Sequence, residues 1–98
     1  MGIVGFDHWV ITSGNVERTI EFYRNLGCKI IFEQIPGQEE KRPTIRIGKY
    51  QKINIHPPET EGKPRIDTAR IPTIGSADFC LQWKGTPNAL ANLLKEIG

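Results

Sequence analysis

The chain has 98 residues, 38% of them apolar, with thirteen basic side chains against eleven acidic ones. That length allows one small domain with a modest core, and makes partnering with a second chain a real option. A net charge of +2, with no basic cluster around aromatic residues, gives no nucleic-acid footprint, and no run of eighteen apolar residues exists to span a membrane.

The opening Met1-Gly2-Ile3-Val4-Gly5 lacks the basic and apolar regions of a secretory signal, so a cytoplasmic location is expected. Cys28 and Cys80 lie far apart among apolar neighbours, without the spacing of a metal motif. They read as two buried free thiols rather than a disulfide.

Residues 3–12 alternate as a strand. Trp9 and Ile11 point one way, and Phe6, His8, Val10 and Thr12 the other. Ser13-Gly14-Asn15 is a turn in which Asn15 is placed to cap a helix. The 3-to-4 spacing of Val16, Ile20, Tyr23 and Leu26 predicts a helix over 16–26, with Gly27 as its left-handed cap. Residues 28–35 form a second predicted strand, ended by Pro36-Gly37. A polar loop, 38–43, follows.

Residues 44–48 and 51–56 are predicted to form a hairpin. Ile45, Ile47, Ile53 and Ile55 fall at alternate positions and share one face; Lys52, Asn54 and His56 share the other. A histidine ending a polar strand face matters chemically only if other ligands or acid–base groups face it. His8 is the remaining histidine of the chain and lies on the polar side of the first strand.

Residues 57–75 hold four prolines and read as a long linker, with Lys63, Arg65 and Arg70 giving it basic character. Residues 76–83 are predicted to be a fifth strand. Thr86-Pro87 is a strong helix start, and Leu90, Leu93, Leu94 and Ile97 supply an apolar face. Trp9 and Trp83 read as core or rim residues rather than substrate contacts.

The order β-α-β-β-β, linker, β-α contains a partial repeat. Residues 7–27 and 77–98 share the layout strand, turn, helix, glycine. The expected class is α+β: a βαβββ module over 1–56, a Pro-rich linker over 57–75 and an incomplete second module, βα, over 76–98. The second half-sheet is then missing, or another chain supplies it.

The segments Phe6-Asp7-His8, Glu21-Phe22-Tyr23-Arg24-Asn25-Leu26-Gly27, Gln51-Lys52-Ile53-Asn54-Ile55-His56 and Gly75-Ser76-Ala77-Asp78-Phe79-Cys80-Leu81 occur in that order. Together they resemble the vicinal oxygen chelate superfamily, which includes glyoxalase I, extradiol dioxygenases and the fosfomycin and bleomycin resistance proteins. The likeness is to the short, lactoylglutathione lyase-like branch, cut short at the C-terminal end. It implies two βαβββ modules around a cleft in which a divalent metal (zinc, iron, nickel or manganese) chelates adjacent oxygens of a small substrate.

By that resemblance His8 matches the first-strand metal-ligand position and His56 the fourth-strand position. Asp78 matches the first-strand position of the second module, or Phe79 does if the match shifts by one. The glutamate typical of the last strand has no counterpart. The implied function is a metal-dependent lyase, isomerase or dioxygenase. The alternatives are a metal-free antibiotic-binding protein of the bleomycin-resistance kind, or an inactive fragment. A homodimer, with strands or modules exchanged, is the expected assembly.

Overall fold

A computed structural model describes residues 1–98. Four strands are joined in one sheet: β1 (His8–Thr12), β2 (Lys29–Gln34), β3 (Lys41–Ile47) and β4 (Gln51–His56). The helix α1 (Val16–Asn25) lies between β1 and β2, and α2 (Pro87–Ile97) closes the chain. The sheet order is β1-β4-β3-β2, with β1 parallel to β4 and the other neighbours antiparallel. This is the expected α+β arrangement of a βαβββ module.

Local sequence explains α1 closely. The Asn15 side chain accepts a hydrogen bond from the Arg18 amide at 3.0 Å, which satisfies one of the free donors of the first turn. Glu17 stands in that turn and Arg24 in the last, each matching the helix dipole. At the other end Gly27 adopts φ +95°. Its amide donates to the Arg24 carbonyl, and the Cys28 amide donates to that of Tyr23, the paired bonds of a Schellman cap. The chain is thereby turned straight into β2.

The core sits between α1 and the sheet. Ile45, Ile53 and Ile55 are 0–1% exposed. Trp9, Ile11, Val16, Ile20, Tyr23 and Ile47 pack against them. The alternation of isoleucines thus selects the helix-facing side of the sheet, as their spacing requires. Burial of each such side chain contributes roughly 1.5–3 kcal/mol.

Several predicted bounds move, each for a pairing reason. The first strand begins at His8 rather than residue 3, because β1 takes its partners from β4 only from His8↔Lys52 onward. Ile3, Val4 and Phe6 are exposed. β3 starts at Lys41 and takes in Pro43, where a loop was expected, because β2 offers Gln34, Glu33 and Phe32 as partners. The β3–β4 ladder stops at Thr44↔Asn54, one residue short of Pro43, which has no N–H to give.

Residues 76–83 are the largest correction. They form no strand; only Phe79 reaches the core, with its ring 5.8 Å from that of Trp9. Cys80 in this segment is exposed rather than buried, while Cys28 is half-buried. The linker is also more ordered than its composition suggests. It contains a short 3₁₀ turn, Pro58–Thr60, and is tied across its base by Gly62 N–H to the Pro72 carbonyl at 2.7 Å. No helix is long and apolar enough to cross a membrane.

Candidate functional site

The side of the sheet away from α1 is polar, and register fixes its layout. Lys29, Arg46, Lys52 and His8 are neighbours across the four strands. The next row on the same face is Ile31, Thr44, Asn54 and Val10. Beyond it lie Glu33 and Arg42, paired on β2 and β3, and His56 and Thr12, paired on β4 and β1.

The middle of this face is closed to solvent. Thr44, Asn54 and His56 are 0%, 1% and 3% exposed. Glu33 reaches over Thr44, its carboxylate accepting from the Thr44 hydroxyl at 3.3 Å and from Lys52 Nζ at 2.8 and 3.0 Å. The bonds from Lys52 hold the Glu33 carboxyl below its ordinary value, against the opposing effect of burial. Arg42 stands opposite Glu33 in the ladder, yet the carboxylate turns to Lys52 instead.

Three buried polar atoms on this side have no partner: Arg42 Nε, Asn54 Oδ1 and His56 Nε2. Leaving such an atom unsatisfied costs roughly 1–3 kcal/mol. Burial pushes the His56 pKa down, and the charges of Arg65 and Arg42 push it the same way, with Asp67 opposing them. The ring is therefore neutral at pH 7, with a free nitrogen able to donate or accept. A cleft of about 1230 Å³ runs from His56 along the β1 edge, walled by Val10, Thr12, Arg18, Phe22 and Asp67.

The three residues singled out from sequence are not gathered. His56 stands opposite Thr12, while His8 stands opposite Lys52 at the other end of the same strand pair. Four residues along a strand is about 13 Å between Cα atoms, so the two rings start from opposite ends of the strand pair. His8 Nδ1 lies 2.8 Å from Asp7 Oδ2 and its side chain is 43% exposed. Asp78 is exposed on the unpaired 76–83 segment. No three His, Cys, Asp or Glu side chains are grouped to hold a metal.

Glu33, Thr44, Lys52, Asn54 and Arg42 enter the site from the structure. Part of that was readable, since Lys52, Asn54 and His56 alternate with the core isoleucines. The Glu33 contribution needed the β2 register, because Glu33 and Lys52 are 19 residues apart in sequence.

No protein-family model matches the chain. It is 36% identical over 80 residues to the glyoxalase domain-containing protein RDO1 of Mycosarcoma maydis, covering 82% of this chain and 40% of that one. It is 36% identical over 74 residues to the virulence protein STM3117 of Salmonella typhimurium, covering 76% and 46%. The crystal structure of STM3117 superposes with a TM-score of 0.74 at 31% identity, covering 98% of this chain and 70% of that chain. The fold is the glyoxalase-like βαβββ arrangement, and the chain is similar in sequence to a glyoxalase domain-containing protein. Another solved structure, the integron cassette protein VCH_CASS1 from the mobile metagenome of V. cholerae, is 30% identical with a TM-score of 0.68. It is covered over 67% of its length and this chain over 99%. The chain spans less than half the length of the curated relatives it matches.

Proposed function

We propose that this chain is a glyoxalase-family module that binds a small molecule on the polar face of its sheet. The ligand would enter by the cleft at His56 and, with the cover of this closed face displaced, present adjacent oxygen atoms to Arg42, Asn54 and His56. The observation that carries this reading is the grouping of three unpartnered, buried polar atoms on one side of the sheet. A ligand that supplies their missing hydrogen bonds recovers a cost the free fold bears. A second βαβββ unit, from a homodimer, would supply the facing wall.

The metal-dependent lyase, isomerase or dioxygenase activity implied by the family resemblance is a narrower proposal. His56 Nε2 is buried, unpartnered and on a neutral ring, which suits a metal ligand. Yet a metal centre takes at least three protein ligands, and His8 and Asp78 stand away from His56. The residues of this chain do not fit a complete divalent-metal site. Metal-free binding, the other reading, requires no further ligand.

Catechol is a suitable neutral probe, with two adjacent oxygens. Titrated in the presence of a chelator, it should saturably shift the imidazole nitrogen signals of His56 and the side-chain amide of Asn54. The substitution His56→Ala should abolish the response. A response that appears only when zinc is supplied would replace the metal-free reading with the metal-dependent one. Catechol that moves neither residue in either condition would end both.

A further inference from the structure

The row at the start of β1 has no role in that reading. Lys29, Arg46, Lys52 and His8 cross the sheet in register, one from each strand. Adjacent strands stand about 4.8 Å apart, so the row places four basic side chains within about 14 Å. Like charges directly opposite one another in a ladder are destabilising. The chain relieves only part of this. Lys52 is paired with Glu33 and His8 with Asp7, while the remaining ion pair, Arg65 with Asp67, lies elsewhere. Lys29 and Arg46 have no carboxylate within ion-pair distance, although the charges of Arg46 and Lys52 both act on the Asp7 carboxylate.

A second observation points the same way. The Asn54 side chain, 1% exposed with Oδ1 unpartnered, belongs to the adjacent row of the same face, about 7 Å further along the strands. The face thus has a cationic row at one end and the unpartnered buried atoms of Arg42, Asn54 and His56 at the other. The Glu33 carboxylate occupies the ground between them, held by Lys52 and Thr44.

Resting on the reading of this face as a ligand site, we propose that the Lys29–Arg46–Lys52 row is a subsite for an oxyanion head group, a carboxylate or phosphate. Glu33 is its internal competitor. The ligand class is then an elongated small acid, with its anionic group at Arg46 and Lys29 and its neutral oxygens toward Asn54 and His56. When the oxyanion binds, Lys52 shares its charge between the ligand and Glu33.

Inorganic phosphate is the probe, titrated into the full chain against chloride at equal ionic strength and followed by amide and side-chain NMR. Saturable shifts are expected at Lys29, Arg46 and Lys52. Arg46→Gln should weaken phosphate binding about tenfold, the loss of one charge-assisted contact. Glu33→Gln should strengthen it about threefold, because the competing carboxylate is gone. Shifts reproduced by chloride, or an affinity unmoved by both substitutions, would overturn the subsite. If catechol still reports at His56 while phosphate fails, the subsite alone falls; if both probes fail, the underlying reading falls with it. Thermal unfolding of each variant checks that the fold is retained. Should Glu33→Gln unfold, Lys29→Gln carries the test, with weaker phosphate binding expected and unchanged binding counting against the subsite.

Discussion

The same layout of strand, turn and helix occurs twice in this chain, with different outcomes. In the first copy β1 pairs along its length with β4, and α1 covers the resulting core. In the second copy the helix forms and the strand does not. Both helices have their polar caps: Asn15 bonds the Arg18 amide, and Thr86 bonds the Ala89 amide at 3.1 Å. A helix satisfies its backbone within its own segment, so local chemistry suffices to start it. A strand needs a partner from elsewhere. The first copy finds it in β4, forty-four residues on from His8 to Lys52; no strand follows α2 among these residues. Leu94 accordingly remains 40% exposed, and no residue of α2 packs against the isoleucine core that Val16, Ile20 and Tyr23 of α1 cover.

Removing core side chains should separate the copies most strongly. Ile53→Ala should destabilise by about 2–5 kcal/mol, whereas Leu94→Ala should cost within about 0.5 kcal/mol. Urea unfolding of both variants decides this; similar losses would mean that α2 shares the first core.

The cap of α1 should come next. Gly27→Ala places a side chain at φ +95° and should cost about 1–2 kcal/mol, seen as a lowered thermal midpoint. No atom beyond its chain neighbours lies within 4 Å of the added Cβ, so the loss would report backbone conformation rather than a clash.

The helix starts offer a finer comparison. Asn15→Ala should lower global stability by about 1 kcal/mol. Thr86→Ala should instead reduce helical circular dichroism with little movement of the urea midpoint, because α2 contributes little to the cooperative unit. Equal shifts in the midpoint would erase the distinction between the copies.

Titration of His56 should give the smallest signal. Its folded pKa lies below the ordinary 6.5, chiefly through burial. Above that pH the ring is neutral in both states and stability is unaffected. As the pH falls below 6.5 the unfolded chain takes up the proton first, so stability declines until the folded ring also titrates. Thermal midpoints between pH 7.5 and 5.5 should show this decline, and His56→Gln should flatten it. A midpoint that rises on acidification in the native chain would contradict the burial of the ring.

Much of the first module was written locally. Alternating Ile45, Ile47, Ile53 and Ile55 fixed which side of the hairpin is core. Asn15 and Gly27 bounded α1, and Thr86-Pro87 started α2. These features depend on side-chain period and on backbone preferences carried by neighbouring residues. The resemblance to glyoxalase-type proteins was likewise visible in the order of four short segments.

Only the tertiary structure decided which strand stretches find partners and which side chains meet. Residues 3–7 and 76–83 have strand-like sequences but no ladder to join. His8 and His56 share a face, yet parallel pairing of β1 with β4 places them at opposite ends of it. Glu33, by contrast, reaches Lys52 across an intervening strand, and the orphaned atoms of Arg42, Asn54 and His56 come to one side of the sheet. Periodicity assigns a residue to a face; register, set by contacts distant in sequence, assigns it a place there.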